Sequence, residues 1–522
     1  MVADAVTMKV HFISKMAAPE TAITALVERL AQISLNNMTE ALEELKTAIT
    51  ALNPSDLRRV IPNLSIGNVF LCLNTQDRSQ QRLCGEVLNH LLSTLSASAV
   101  LEHFNAQLIT WIKLQDDYLK AQCLSELSRI SKESPEDLSR HEDLVLAIVE
   151  QISSDAMDVG PTAASVITNI GQDANGLMII FKEPMMRQFA KAMEKNDVTR
   201  FRVYQIATDL SRQNPEALTA CAQSGLLRQL VNEAGRDDDI LVQLNAIELL
   251  SDLATSPHGL QFLDEQGIVG RLETMMAELA QNPMAGLVLP GLIKFFGGLA
   301  KNHPKEVLSK FDHFVRLVLN NVGDGDPNLR GVSVDTVGLI ASTPEGKTAL
   351  EKLGNPWLEC VQTLGSILKT GASELKSRTL QAMRHICYLQ AEHQTTELLA
   401  LTERWFISST SDAFTCVWTM AQQPFPDIRL PALHLLETIA ALPWGQKVMN
   451  STPGFKEYVL DRTTEHSKEG KEMKFEMVRA LADSPTATDI LGQPYVIHLH
   501  EYVNQGPFYV AAQSEVAMEG DS

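Results

Sequence analysis

Several short segments of the sequence carry residue types that metal, nucleophile or phosphate chemistry would use. Residues 324–326 (Asp-Gly-Asp) begin like a calcium loop, but the later ligands and the closing glutamate do not follow. Residues 498–501 (His-Leu-His-Glu) offer no third metal ligand at helical spacing. Residues 331–335 (Gly-Val-Ser-Val-Asp) start like a nucleophile elbow but lack its closing glycine. Gly346-Lys347 and Gly470-Lys471 lack the rest of a phosphate-binding loop. Because each of these motifs is incomplete, we expect that the protein is not an enzyme and binds neither a metal nor a cofactor.

An acidic trio at residues 237–239 could in principle chelate magnesium. It lies where one apolar helical pattern ends and the next begins, and the positive end of a helix dipole favours acidic side chains at a helix start. We therefore expect Asp237, Asp238 and Asp239 to cap the next helix rather than to bind a metal.

The composition excludes several classes of partner and location. The chain has 522 residues, with 44 Lys and Arg against 64 Asp and Glu, and its net charge of −20 repels nucleic-acid phosphates and anionic membranes. A chain of this length is too long to fold around one conventional hydrophobic core. The seven cysteines are scattered without a Cys-x-x-Cys pair, so neither a disulfide framework nor a zinc site is indicated. No apolar run could span a bilayer or serve as a signal peptide, and we expect a cytoplasmic or nuclear protein.

A repeated proline context divides the chain into similar units. Six of the eight prolines concerned follow Asn, Ser or Thr, and a short polar cap before proline is a helix start. The eight are Asn53-Pro54, Ser134-Pro135, Asn214-Pro215, Ser256-Pro257, His303-Pro304, Thr343-Pro344, Leu442-Pro443 and Ser484-Pro485. Three intervals between these prolines are about twice as long as the others, and each contains a polar segment that could start a helix: Ser96–Ser98, Asp173 and Glu392–Thr395. Counting these segments gives eleven helix starts about 43 residues apart, as in HEAT and armadillo arrays.

A glycine and two further helical patterns follow these starts. Gly225, Gly267 and Gly354 lie ten residues after their prolines and Gly454 lies eleven after, so a left-handed glycine is expected to close the first helix. A second apolar helix, an acidic turn and a longer third helix come next. The third helices show apolar residues at i, i+3, i+4 and i+7: Leu88/Leu91/Leu92/Leu95, Val203/Ile206/Ala207/Leu210, Val334/Val337/Gly338/Ala341 and Ala432/Leu435/Leu436/Ile439.

These patterns predict an all-α, armadillo/HEAT-like solenoid of about eleven helical repeats in a curved superhelix. Three helices per unit favour the armadillo form over the two-helix HEAT form. We expect residues 16–510 to form a single solenoid, with a disordered N-terminal extension at 1–15 and a disordered acidic tail at 511–522.

The third helices are expected to line the concave face, where a solenoid binds its partner. Armadillo proteins that carry import signals show a Trp-x-x-x-Asn ladder there, and none of the five tryptophans here has Asn four residues on. The repeat phase places other pairs at the two ladder positions: Gln205/Asp209, Glu248/Asp252, Lys294/Gly298, Asp335/Leu339 and His434/Thr438. We therefore predict partner contacts, with solvated helix surface as the alternative, at Gln205, Asp209, Glu248, Asp252, Lys294, Asp335 and His434.

Four of these residues would form one acidic row, namely Asp209, Glu248, Asp252 and Asp335. Asp335 is the sharpest candidate because it interrupts the apolar run 332–340, where a carboxylate must reach solvent, a partner or a cation. Two explanations stay open for it: an inter-repeat hydrogen bond, to the backbone or to Arg330, or contact with a partner.

Long stretches of the chain match one family beyond general repeat patterns. They are residues 196–204 (NDVTRFRVY), 289–297 (LPGLIKFFG), 334–338 (VDTVG), 423–426 (QPFP), 443–449 (PWGQKVM), 453–462 (PGFKEYVLDR) and 506–510 (GPFYV). From about Met16 to Val510 the chain resembles the proteasome non-ATPase regulatory subunit 5 family, an armadillo/HEAT-like group. The family start resembles Met16-Ala17-Ala18, so residues 1–15 are interpreted as an extension or as the product of an upstream start codon.

The resemblance implies an assembly chaperone for the base of the proteasome regulatory particle. Such a chaperone binds the C-terminal domain of one ATPase subunit in its groove, in a module with a second ATPase subunit and a large non-ATPase scaffold subunit. It leaves before the mature particle forms, and the chain is expected to be a monomer on its own. The family supplies no residue motif to carry over. The alternatives are an armadillo-type adaptor or transport scaffold and an enzyme on a helical-repeat scaffold.

Overall fold

The computed structural model describes residues 19–33, 38–61, 64–236, 238–279, 287–323 and 326–510. The regular structure within these ranges is helical, and they contain no strand. The segments 1–15 and 511–522, predicted to be disordered, lie outside the described residues. So do Asp237 of the acidic trio and Asp324 and Gly325 of the calcium-like segment.

The chain divides into two compact units, Met1–Phe262 and Leu263–Ser522, and each is described by itself. That residues 16–510 form a single solenoid stays a prediction. The helices of the first unit are α1 (Pro19–Leu30), α2 (Thr39–Thr50), α3 (Pro54–Val60), α4 (Ile66–Leu71), α5 (Arg78–Leu92), α6 (Ala97–Ile112), α7 (Asp117–Glu133), α8 (Pro135–Ser139), α9 (Glu142–Gln151), α10 (Gly160–Ile170), α11 (Ala174–Ile180), α12 (Glu183–Lys195), α13 (Asp197–Ser211), α14 (Pro215–Gln223), α15 (Leu226–Ala234) and α16 (Ile240–Leu253).

Helix α17 (Pro257–Glu265) contains the boundary between the units. The helices of the second unit are α18 (Ile268–Leu279), α19 (Leu289–Asn302), α20 (Pro304–Lys310), α21 (Asp312–Gly323), α22 (Pro327–Ile340), α23 (Pro344–Glu351), α24 (Asn355–Thr370), α25 (Ser373–Cys387), α26 (Thr396–Ser409), α27 (Ala413–Ala421), α28 (Pro426–Ala440), α29 (Pro443–Ser451), α30 (Phe455–Leu460), α31 (Lys468–Ala482), α32 (Ala487–Leu491) and α33 (Gln493–Gln505).

The last helix of each repeat, here called its third helix, packs on the third helix of the next repeat within its unit. The third helices are α2, α5, α7, α10, α13 and α16 in the first unit and α19, α22, α25, α28 and α31 in the second. Most repeats hold three helices, although the single 16-residue helix α6 replaces the first two helices of its repeat. The predicted class, an all-α armadillo/HEAT-like array, is confirmed.

Helices begin at the places that the proline context predicted. The side chains of Asn214 and Thr343 each accept a hydrogen bond from the backbone N–H three residues on, at 2.8 and 3.0 Å. The residues expected to fill the gaps in the proline series act in the same way: Ser96, Asp173 and Thr395. The last start is displaced by two residues, since its helix begins at Ala487 rather than at Pro485.

Glycines with positive φ close four of the first helices, as predicted, and Gly225 and Gly454 take the left-handed helical conformation. The φ angles are 82° at Gly225, 67° at Gly267, 66° at Gly354 and 80° at Gly454. They follow α14, α17, α23 and α29, which are eight or nine residues long. The interval between proline and glycine is therefore one short helix and its closing turn.

The apolar stripes of the third helices form the core. Val203, Ile206, Ala207 and Leu210 on α13 are all buried, and the stripes of α22 and α28 are buried in the same way. Two predicted stripes run past the helix end. The buried Ala341 lies one residue beyond α22, and α5 ends at Leu92, so Leu95 lies beyond the helix and is only half-buried. None of the described helices combines the length and the apolar character that crossing a bilayer requires.

Replacing Gly225 by alanine should lower the free energy of unfolding by about 1–2 kcal/mol, because a left-handed backbone is unfavourable for a residue with a Cβ atom. The new methyl group would meet no atom within 4 Å, so the cost comes from the backbone alone. The control is Gly270→Ala in α18, an equally open site, which should gain about 0.5–1 kcal/mol. Urea unfolding followed by circular dichroism measures both changes, and equal effects at the two sites would contradict the left-handed closure.

Candidate partner-binding face

The third-helix face, meaning the outward side chains of the third helices in each unit, carries the predicted contact residues. In the first unit α13 packs on α16, and these two helices hold four of the seven. Gln205 and Asp209 lie half-buried one turn apart on α13, and Gln205 Nε2 donates to Asp209 Oδ1 at 2.9 Å. Glu248 is exposed and Asp252 half-buried, one turn apart on α16. The repeat register therefore places all four side chains at the surface.

Two of these carboxylates influence each other across the helix pair. Burial raises the pKa of Asp209 above its usual range, and the charge of Asp252 raises it further. The hydrogen bond from Gln205 and the charge of Arg212 lower the same pKa, with Arg212 Nη1 3.9 Å from Asp209 Oδ1. Glu248 adds an exposed third carboxylate on α16. Holding these negative charges close together therefore lowers the stability of the folded state.

In the second unit Lys294, Asp335 and Arg378 lie on three successive third helices, α19, α22 and α25. Arg378 Nη1 donates to Asp335 Oδ2 at 2.5 Å, and Arg378 Nη2 reaches Glu374 Oε1 at 3.1 Å. Burial raises the pKa of Asp335, whereas the charges of Arg378 and of the exposed Lys294 lower it. Mixed charge, rather than a row of acids, therefore occupies this part of the face.

Of the two open explanations for Asp335, the structure shows the inter-repeat contact. Its partner is Arg378, 43 residues on, and not Arg330. The Arg330 side chain instead donates from Nε to the carbonyl of Val322 at 3.0 Å. The side chain of Asp335 remains 47% exposed, so the ion pair stays accessible from solvent.

His434 lies on α28 and is half-buried. Its Nδ1 is 3.2 Å from Glu437 Oε2 on the same helix. The last predicted residue of the face is therefore paired within its own helix.

Sequence reasoning missed two residues that lie at the position equivalent to Asp209 in earlier repeats. Arg129 on α7 and Asn169 on α10 lie 80 and 40 residues before Asp209. Arg129 Nη2 donates to the carbonyl of Leu92 on α5 at 3.3 Å, and Asn169 Nδ2 donates to Ser131 Oγ on α7 at 3.0 Å. Both side chains tie a third helix to the preceding one by donating a hydrogen bond, whereas Asp209 accepts a hydrogen bond from Gln205 of its own helix. The regular 40-residue spacing was the signal that could have found them.

The segments that suggested metal or nucleophile chemistry are parts of ordinary helices or helix caps. Asp239 caps α16 and accepts from the backbone N–H groups of Leu241 and Val242 at 3.0 and 3.1 Å, as predicted. Asp238, which was also expected to cap the helix, instead accepts from Arg236 Nη2 at 2.7 Å. Residues 331–335 lie inside α22, and His498 faces Glu501 at 3.6 Å on the exposed side of α33. Within the described ranges no group of three or more His, Cys, Asp and Glu side chains could hold a metal ion.

Stacked three-helix repeats with a polar row on their third helices define a helical-repeat protein of the HEAT/armadillo class. Solved structures of importin beta share this fold. One is 12% identical with a TM-score of 0.59, covering 94% of this chain and 64% of that one. Yeast importin-beta is 14% identical with a TM-score of 0.56, covering 95% of this chain and 64% of that one. At these identities the likeness shows the fold alone.

The chain belongs to the family described as the proteasome non-ATPase 26S subunit, whose family model matches residues 19–522. It is similar to the 26S proteasome non-ATPase regulatory subunit 5 of Homo sapiens, at 34% identity over 484 residues, which covers 92% of this chain and 96% of the relative. The protein of that name from Drosophila melanogaster is 23% identical over 445 residues, with 83% and 84% covered. The family resemblance drawn from the sequence is confirmed.

Asp209→Asn should raise the thermal midpoint at pH 7, by an amount equivalent to about 1 kcal/mol or less, because it removes a charge that burial disfavours and keeps an acceptor for Gln205. A raised folded-state pKa favours the folded protein at low pH, and this contribution is lost as the pH rises through that pKa. The gain should therefore vanish as the pH falls below the ordinary aspartate pKa of about 3.9.

Thermal unfolding of native and substituted protein between pH 7 and pH 3 measures this difference. The matched control is Asp238→Asn, because the hydrogen bond from Arg236 lowers the pKa of the exposed Asp238 to about 2. That substitution should not stabilise the protein at pH 7. A lower midpoint for Asp209→Asn at pH 7 would contradict the unfavourable placement of its charge.

Proposed function

We propose that the protein is a non-catalytic assembly chaperone for the base of the proteasome regulatory particle. The observation that carries the proposal is its family membership over nearly the full length of the relatives, 92% of this chain and 96% of the human protein. The partners proposed are proteasome ATPase subunits and a large non-ATPase scaffold subunit. A location in the cytoplasm, and also in the nucleus, belongs to the same proposal.

The contact surface proposed for the C-terminal domain of an ATPase subunit is the third-helix face. On α13 and α16 it presents Asp209, Glu248 and Asp252, which would attract a basic segment of the partner. On α19 and α22 it presents Lys294 beside the ion pair of Asp335, so that a partner segment with both signs of charge would be matched there. Complementary charge of this kind selects the partner and raises its association rate more than it adds affinity.

The proposed mechanism is steric. A chaperone bound to the C-terminal domain of the ATPase subunit would cover a surface that this subunit needs for docking on the core particle. Docking would then be delayed until the ATPase ring is correctly assembled, and the chaperone would leave before the mature particle forms. No step of this mechanism requires a catalytic residue, because one protein surface excludes another.

A tagged copy of the chain, recovered from cytosol and resolved on a native gel, should co-migrate with subassemblies that contain ATPase subunits and should be missing from the mature proteasome. Mass spectrometry of the gel bands identifies the subunits that move with it. Recovery of import cargo would favour an adaptor or transport scaffold. Recovery of the mature particle in stoichiometric amount would contradict departure before maturation.

Glu248→Lys combined with Asp252→Lys should weaken binding of a purified ATPase C-terminal domain about tenfold or more, because attraction at two positions becomes repulsion. The thermal midpoint should not fall, since the change removes the repulsion between Asp252 and Asp209. The control is Glu194→Lys, the same charge change at an exposed position of α12, which is not a third helix. Biolayer interferometry measures the affinities, and an unchanged value for the double variant would remove α13 and α16 from the contact surface.

A further inference from the structure

Two cysteines of the first unit meet beneath the turn between α4 and α5. Cys72 lies in the short 3-10 segment Cys72–Asn74 and Cys84 lies in α5, and neither side chain is exposed. Cys72 Sγ is 3.4 Å from the carbonyl oxygen of Asn68, and Cys84 Sγ is 3.1 Å from that of Val69. Because these carbonyls belong to consecutive residues of α4, both sulfur atoms lie against the same turn of that helix.

The next repeat contains one member of this pair without the other. Cys123 on α7 lies 39 residues after Cys84, and its Sγ is likewise directed at the carbonyl oxygen 15 residues earlier, that of Leu108, at 3.7 Å. The residue 39 positions after Cys72 is Trp111, whose side chain is buried in the core. Repeat packing therefore accounts for a small buried side chain at Cys84 and Cys123 alike. It gives no reason for a second thiol beside Cys84.

The environment of Cys72 differs from that of the other cysteines of the chain. The neighbouring Cys84 thiol lowers the pKa of Cys72 below the ordinary cysteine value, although burial opposes this shift. Burial instead raises the pKa of the remaining cysteines, for example to about 11 at Cys221 and to about 12 at Cys360. Since the thiolate is the nucleophilic form, attack on an oxidant is favoured at Cys72.

We propose that Cys72 and Cys84 are a modification site, a dithiol that a hydroperoxide oxidises reversibly to a disulfide. The Cys72 thiolate attacks one peroxide oxygen, the O–O bond breaks, and the released hydroxide takes up the thiol proton to leave water and a sulfenic acid on Cys72. The sulfur of Cys84 then attacks the sulfur of Cys72, and the displaced hydroxyl leaves with the Cys84 proton as a second water. Two thiols and one hydrogen peroxide thus give one disulfide and two waters, and a thiol reductant reverses the reaction by exchange.

A small oxidant can reach the pair through a local opening of the turn. Cys72 is covered, but its neighbours Leu71 and Asn74 are exposed, so only the short segment that holds the sulfur has to move. The disulfide would join that segment to α5, a third helix that packs on both α2 and α7. This site does not depend on the proposed function, because the same two thiols meet whichever partner the third helices bind.

The test treats the full-length reduced protein with hydrogen peroxide, blocks remaining thiols with iodoacetamide under denaturing conditions, and digests it with trypsin. Cleavage separates Cys72, in peptide 60–78, from Cys84, in peptide 83–113. We expect a linked species whose mass is the sum of the two peptides less two hydrogen atoms, and its complete loss after dithiothreitol. Both peptides recovered in alkylated form after oxidation, or Cys72 recovered as sulfinic acid beside an alkylated Cys84, would overturn the proposal.

Variants separate this pair from general thiol oxidation. Cys123→Ser changes the equivalent buried thiol of the next repeat and should leave the yield of the linked peptides unchanged. Cys84→Ser should abolish the link and allow dimedone to trap the sulfenic acid on Cys72. Links from Cys72 to Cys123 in the native protein at the same yield would overturn the proposal, since they would reflect unfolding. The native-protein experiment decides the question even if a serine variant fails to fold.

Discussion

The stacking of each third helix on the next is the interaction on which the rest of the structure depends. A repeat of about 43 residues cannot bury its own apolar face and is stable only against its neighbours. The contact is close enough to select residue size: a Cβ atom on Gly338 of α22 would lie 2.8 Å from the Cα of Ala382 on α25, and one on Gly297 of α19 would lie 2.8 Å from Thr336 Cγ2. The same packing fixes the rotation of each helix, and therefore which side chains form the third-helix face.

Close stacking leaves backbone carbonyls at the ends of the third helices that need donors. Long polar side chains from the following first helix supply them. Lys347, three residues after Pro344, donates from a fully buried Nζ to the carbonyl of His385 at 2.9 Å and also to that of Ala341, and burial lowers its pKa to about 8. Gln446, three residues after Pro443, donates to the carbonyl of Ala440 at 3.0 Å. A lysine and a neutral amide thus serve the same purpose at corresponding places, which indicates that the hydrogen bonds and not the charge are required there.

Signals within one helix could be read from the sequence, whereas pairings between repeats could not. A cap lies three residues from the N–H that it satisfies, and the left-handed Gly225 follows its proline by one short helix, so both were predictable. The rotation of α13 was predictable too, because Asp209 follows from the apolar period of its helix. The partner of Asp335 was not: Arg330 is five residues away and bonds elsewhere, while Arg378 is 43 residues away on the adjacent third helix. Choosing among arginines one repeat apart requires the helix register to within a fraction of a turn.

The distribution of charge follows from the same geometry. Many of the carboxylates are paired with a cation of a neighbouring repeat, for example where Lys46 meets Glu86, Lys182 meets Glu142 and Lys195 meets Asp155, each pair 40 residues apart. On α13 and α16 acidic side chains lie near one another instead, and the pKa of Asp209 is raised by burial first and by the charge of Asp252 in addition. A free surface that holds like charges together is less stable than one with compensated charges, and a cationic partner would relieve that cost only on binding. The net charge of −20 means that at least 20 acidic side chains have no basic counterpart, and the register of the third helices decides which of them lie on the third-helix face.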